Sequence, residues 1–171
     1  MTMTPALRKF ALTAHVVSSV GWLGAVAAYL ALAIAALGSA EPQIVRAAYL
    51  AMEPIAWAAL IPLALASLLT GVVQALGTKW GLLRHWWVVM KLALTVFATF
   101  ILLLHTPTTV EPLARLAEAN RADPGALPGE VLHAGGGLLV LLAAAVLAVY
   151  KPPGMTQYGR RKLERRVVPA P

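Results

Sequence analysis

Four side chains that can bind a metal lie within or at the ends of otherwise apolar stretches of the sequence: His15, Lys91, His105 and His133. An ionisable group inside a membrane span costs about 2.5–3.5 kcal/mol on insertion scales, so each one needs a compensating partner. Two imidazoles from facing helices can hold a haem iron from opposite sides. A neutral lysine amine can serve as an axial ligand as well. These residue types are therefore able to hold a haem iron.

The expected depths of these residues divide them into two layers. His15 and Lys91 each lie about 10–12 Å inward from the start of their helices, at a rise of 1.5 Å per residue. His105 ends its apolar run and His133 opens the next one, so both belong near the opposite surface. The two layers are about 21 Å apart along the helix that carries Lys91 and His105. We therefore expect one or two haems, with His105 and His133 as the axial pair of the second.

Residues next to the histidines leave room for a flat cofactor. Trp22 lies on the same helical stripe as His15 and is expected to contact the cofactor. Gly137 follows His133 by one turn on the same face, where the absence of a side chain gives space. Close packing of helices is an alternative explanation of such glycines.

Other chemistry remains open for the same residues. His15, His105 and His133, with Glu53 at the outer level, would also suit copper or zinc. A proton relay through the intramembrane His, Lys and Glu residues needs no cofactor. Histidines at helix ends can also simply contact interfacial water. His85 is expected on the opposite face of its helix from His105, facing headgroups.

The composition identifies the class of protein. The chain has 171 residues, of which 60% are hydrophobic and 12% charged, whereas soluble domains are nearer 25% charged. It contains no cysteine, which excludes disulfides and thiolate metal sites. The net charge of +7 is typical of positive cytoplasmic loops in a membrane protein, so we expect no nucleic-acid partner.

Four charge-free stretches are each close to the length that crosses a bilayer. They predict an all-α integral membrane four-helix bundle within residues 1–150, with one short amphipathic helix after Pro112. The basic, proline-rich segment 151–171 is predicted to be a mobile cytoplasmic tail. The predicted spans are residues 8–38, 43–77, 84–106 and 130–150.

The distribution of charge predicts the orientation. With four spans, both termini lie on one side, and that side carries eleven Lys or Arg residues against one acidic residue. The opposite side carries three Arg residues against six acidic ones. Because positive loops stay inside, we expect cytoplasmic termini in a multi-pass protein of the inner (plasma) membrane.

Two stretches resemble known membrane families. HVVSSVGWLG, from His15 to Gly24, resembles the first helix of the copper-resistance protein D-like family and of the bacterial membrane protoporphyrinogen oxidase that carries b-type haem. WWVVMKLALTVFATFILLLH resembles their W…K…L…H helix, with Lys91 and His105 at its Lys and His. The ending VYKPPGMTQYGRRK is similar to that of an uncharacterised actinobacterial four-helix family. The resemblance implies a helical bundle in which His15 and Lys91 are haem-linked.

The sequence thus predicts a b-type haem protein of the lipid bilayer that transfers electrons or senses redox state or a ligand. A redox partner protein is expected, and a homo-oligomer is compatible with the small-residue faces of the helices. Whether the protein is an enzyme stays open. The alternatives are a cofactor-free scaffold or accessory subunit, whose basic tail binds anionic lipid or a cytoplasmic partner, and metal or proton transport.

Overall fold

The computed structural model describes residues 3–78 and 80–167, which form helices and no β-strand. Four helices are long and apolar enough to cross a membrane: α1 (Pro5–Leu37), α2 (Pro42–Gly77), α3 (Trp86–Glu118) and α4 (Leu127–Tyr150), the last preceded by one 3-10 turn. A shorter helix, α5 (Gln157–Val167), follows. The prediction of an all-α fold with four helices long and apolar enough to cross a membrane is confirmed. Lys79 and the last four residues of the predicted tail lie outside the described residues.

The four long helices pack as an antiparallel bundle. α1 contacts both α2 and α4, and α3 contacts the same two helices from the other side. Large side chains fill the centre, including Trp22, Tyr29, Tyr49 and Met52, each no more than 3% exposed. Leucine, valine and phenylalanine side chains cover the outside, where a bilayer would solvate them. The bundle is therefore arranged for contact with lipid on its perimeter and with itself in the middle.

Four prolines lie inside α2 and α3 without ending them: Pro54, Pro62, Pro107 and Pro112. Pro54 in α2 precedes a π-helical turn at Ala56–Leu60, and Pro107 in α3 lies within a second one at Thr106–Val110. A π-helical turn changes the hydrogen-bond register locally, which lets the backbone pass a residue without an N–H. For this reason α3 runs on to Glu118, past the end at residue 106 that the sequence predicts. The segment predicted as a separate amphipathic helix is its continuation.

α4 begins three residues before its predicted start at residue 130. The Asp123 carboxylate accepts a hydrogen bond from the Gly125 N–H at 2.8 Å and so supports the 3-10 turn from which α4 starts. The early start places Glu130 inside the first turns of α4 rather than in a loop. The position of Glu130 matters because this carboxylate faces the centre of the bundle.

The segment after α4 contacts the loop between α2 and α3. The Thr156 hydroxyl donates to the Leu83 carbonyl at 2.6 Å, and the Thr156 N–H donates to the Arg84 carbonyl at 3.0 Å. α5 starts directly after this contact. Within the predicted tail, residues 157–167 are thus helical, and Thr156 joins this segment to the loop between α2 and α3.

Candidate functional site

The first polar cluster lies between α1, α2 and α3 and is centred on His15. Its Nδ1 lies 3.1 Å from the Ser67 carbonyl oxygen and 3.1 Å from the Thr70 hydroxyl oxygen, both on α2. Its Nε2 lies 3.0 Å from Nζ of Lys91 on α3. The structure therefore brings together His15 and Lys91, which the sequence places at one depth.

The partners of His15 determine which nitrogen carries hydrogen. A carbonyl oxygen only accepts, so Nδ1 must donate to Ser67, and the neutral ring then has its lone pair on Nε2. This arrangement is typical of metal-binding histidines, whose other ring nitrogen donates to a backbone carbonyl. Gly71 gives the ring its space, because a Cβ at this position would lie 3.1 Å from Cε1 of His15.

A cavity of about 580 Å³ adjoins the cluster, and we call it the His15 cavity. Trp22, Gln74, Trp87 and Lys91 line it together with His15. The side-chain nitrogen of Gln74 is buried and has no hydrogen-bond partner among the described residues. A buried amide without a partner costs about 1–3 kcal/mol, so the cavity offers a donor that a ligand can satisfy.

These features fit a b-type haem. Such a cofactor needs an imidazole lone pair for the iron, an apolar cavity for the macrocycle and donors for its propionates. His15 supplies the first through Nε2, and Lys91 and Gln74 supply the last. The volume of the His15 cavity lies within the usual 300–1,000 Å³ of small-molecule sites.

The second polar cluster lies between α1, α3 and α4 and is centred on Glu130. The Tyr29 hydroxyl donates to Oε2 of Glu130 at 2.5 Å, and Nε2 of His105 donates to the same oxygen at 3.1 Å. Glu130 is 1% exposed, so these two donors replace the water that the carboxylate gives up. Side chains from two other helices, α1 and α3, thus solvate the buried acid of α4.

The His105 and His133 rings stack face to face at a centroid separation of 3.6 Å and an angle of 13°. The lone pairs of an imidazole lie in its ring plane, so stacked rings direct them side by side rather than toward each other. An iron between two axial ligands needs the opposite arrangement. As arranged here, His105 and His133 do not fit the axial pair of one haem.

A smaller cavity of about 290 Å³ adjoins this second cluster, and we call it the His133 cavity. His105, His133 and Gly137 line it, and so does Trp22, which also lines the His15 cavity. Trp22 therefore separates the two cavities. Gly137 provides open space in the His133 cavity, as the sequence suggests.

Glu53 and His85 take no part in either cluster. Among the described residues, no hydrogen bond or ion pair joins Glu53 to His105 or His133. Residues 3–78 and 80–167 also contain no group of three or more His, Cys, Asp or Glu side chains placed to hold a metal ion. The copper or zinc set of His15, His105, His133 and Glu53 is therefore not assembled there. His85 instead lies at the start of α3, with Nδ1 2.9 Å from the Trp80 carbonyl.

Glu130 is the residue that the sequence reasoning overlooked. The predicted span starts at its position, which left it assigned to the preceding loop. The spacing between Glu130 and His133 was nevertheless a usable signal, because Glu-x-x-His places both side chains on one helical face. Ser67 and Thr70, four and one residues before Gly71, carried no comparable signal, since serine and threonine commonly bond to their own helix backbone.

Comparisons with protein-family models, with curated proteins and with solved structures find no match to this chain.

Proposed function

We propose that this chain is an integral membrane protein that binds one b-type haem in the His15 cavity, with Nε2 of His15 as an axial ligand. The observation that carries the proposal is the setting of His15, whose Nδ1 is held by the Ser67 carbonyl and whose ring, with Lys91 at Nε2, lines a cavity of about 580 Å³. The resemblance of HVVSSVGWLG to the first helix of the bacterial membrane protoporphyrinogen oxidase, which carries b-type haem, supports the same assignment. A bound haem would give the protein a one-electron redox centre, suited to electron transfer or to redox or ligand sensing.

The residues around His15 have distinct tasks in this proposal. Ser67 and Thr70 fix the ring orientation and the tautomer through Nδ1. The lone pair on Nε2 serves one partner at a time, so Lys91 leaves it when the haem binds and places its cation near a propionate. Gln74 offers the second donor from the same cavity wall. Trp22 closes the cavity toward the Glu130 cluster.

One haem is the count that the side chains support. Among the four histidines, all of them described, only His15 combines an Nδ1 anchored on a backbone carbonyl with a place in the lining of the larger cavity. His105 is engaged with Glu130 and stacked on His133, which leaves no opposed pair for a second iron. We therefore propose a single centre near the side of the membrane that holds the termini.

The setting of this centre follows from the charge distribution. We propose that both termini are cytoplasmic and that the protein lies in the plasma membrane, because the terminal side carries most of the lysine and arginine. The haem would then lie within reach of a cytoplasmic redox partner. The basic α5, which follows the contact of Thr156 with the loop between α2 and α3, adds positive charge that attracts anionic lipid or an acidic partner surface.

Haem titration tests the ligand assignment. We expect purified protein in detergent to bind haem at one equivalent per chain with a sharp Soret band. His15→Ala should lose this binding, whereas His85→Ala and His133→Ala should retain it. Retention of the Soret band by His15→Ala would contradict the proposal, as would its loss in His133→Ala alone.

A further inference from the structure

The His133 cavity carries features that the haem proposal does not use. It is lined almost entirely by apolar side chains, with His133, His105, Tyr29 and Thr106 as its only polar residues. No hydrogen bond joins His133 to another residue in the described ranges 3–78 and 80–167; its ring contact is the stack on His105. Its ring nitrogens are therefore available to a ligand.

The His133 cavity reaches the outer surface of the bundle, which would contact lipid in a bilayer. Phe97 on α3 and Leu132 on α4 line the cavity and are 57% and 78% exposed on the lipid-facing surface. A ligand that enters here must first dissolve in hydrocarbon. Water-soluble metabolites and ions are excluded by this route, because the bilayer interior rejects them.

The shape of the cavity favours a flat ring. Gly136 and Gly137 lie side by side on its α4 wall, and a Cβ at either would meet no atom within 4 Å. At these two positions the wall is backbone without side chains, against which a planar group can lie. A volume of about 290 Å³ holds one or two small rings, with any longer tail left in the lipid.

The chemistry of the inner end requires a hydrogen-bonding oxygen on that ring. An acyl chain in the cavity would leave the imidazole of His133 without a hydrogen-bond partner, which costs free energy. A carbonyl or hydroxyl oxygen would remove this cost by accepting the hydrogen bond. Behind His133 the stacked His105 donates to the buried Glu130, which also accepts from Tyr29. The end of the cavity can therefore donate a hydrogen bond and hold a proton.

We infer that the His133 cavity binds the head group of an isoprenoid quinone, with a ring oxygen at the imidazole of His133 and the tail in the bilayer. A quinone combines the three required properties: solubility in lipid, a planar ring and carbonyl oxygens that accept hydrogen bonds. The inference does not depend on haem, because no residue of the His15 cluster contributes to its polar end.

Photolabelling tests this site in the full chain, with whatever haem it carries, reconstituted into lipid nanodiscs. The probe is an azido-ubiquinone with a short tail, and the competitors are decylubiquinone and decylbenzene, which lacks the oxygens. We expect saturable labelling of α3 and α4 segments around Phe97 and Leu132. Decylubiquinone should compete with the probe, and decylbenzene should compete at least tenfold less well. A tenfold difference in affinity corresponds to the free energy of about one buried hydrogen bond.

Cavity-filling variants provide the matched control. Gly137→Leu fills the cavity and should abolish competition by decylubiquinone, whereas Gly135→Leu, on the same helix but outside the lining, should leave it unchanged. Gly136→Leu serves as a second filling variant if Gly137→Leu fails to fold. His133→Ala should weaken competition about tenfold.

Three results would overturn the inference. One is equal competition by decylbenzene, which would identify the occupant as an acyl chain. Another is unchanged competition in both filling variants. The third is the absence of saturable labelling. We expect the His15→Ala variant to be labelled like the wild type. Failure of the haem proposal can therefore be told apart from failure of the quinone proposal.

Discussion

The Tyr29 hydroxyl lies 2.5 Å from Oε2 of Glu130, a contact between α1 and α4 that joins residues far apart in the chain. His105 of α3 donates to the same oxygen at 3.1 Å. One buried carboxylate thus connects three of the four spans. The connection gives Glu130 a structural role in addition to any proton chemistry.

Replacement of Glu130 tests this structural role. Glu130→Gln removes the charge that holds the His105 N–H and leaves a buried amide among donors, so we expect a loss of about 1–3 kcal/mol of stability. For a chain of this size, such a loss lowers the melting temperature by roughly 2–12 °C. Thermal unfolding in detergent measures it, with the exposed Glu118→Gln as the control. Equal melting temperatures for the two variants would contradict the account.

The close approach of Gly71 to the imidazole ring of His15 gives a second prediction. A methyl group at position 71 would lie 3.1 Å from Cε1 of His15, so Gly71→Ala requires the ring to shift by a few tenths of an ångström away from its present position. Altering the support of a metal-binding histidine typically lowers affinity 10–100-fold, and we expect about tenfold weaker haem binding. Gly24→Ala is the control, because a Cβ there meets nothing within 4 Å. Identical haem affinities for Gly71→Ala and Gly24→Ala would show that the ring is not held as described.

Lys91 should influence the haem through its charge. A cation near the centre stabilises the reduced form, which carries one positive charge fewer, so Lys91→Met should lower the midpoint potential while haem is still bound. Lys91→Arg should keep the potential near its original value. Potentiometric titration of the α-band measures the shift, with the exposed Lys9→Met as a control for remote charge. A midpoint that stays unchanged in Lys91→Met would place the lysine away from the cofactor.

The proposed topology is directly measurable because the chain contains no cysteine. Ala40→Cys lies in the loop between α1 and α2, and Pro153→Cys lies after α4; both positions are exposed. In intact cells, a membrane-impermeant maleimide should label Ala40→Cys. It should label Pro153→Cys only after the membrane is opened. The reverse pattern would invert the orientation and place the haem near the outer surface.

The spans were predictable because hydrophobic length alone determines them. The ends of the helices were less predictable than the spans. α3 continues past residue 106 because a π-helical turn accommodates Pro107, and this effect depends on backbone register rather than on composition. At the site, helical depth was enough to place His15 with Lys91. The stacking of His105 on His133 and their link to Glu130 depend on the relative rotation of α3 and α4, which a single sequence does not specify.

The visible spectrum of the protein, purified from haem-replete cells and recorded oxidised and reduced, tests the central claim most directly. We expect a Soret band with a sharp α-band on reduction, at about one haem per chain, and its loss in His15→Ala. A colourless wild-type protein that melts as cooperatively as the variants would show that the His15 cavity holds no haem.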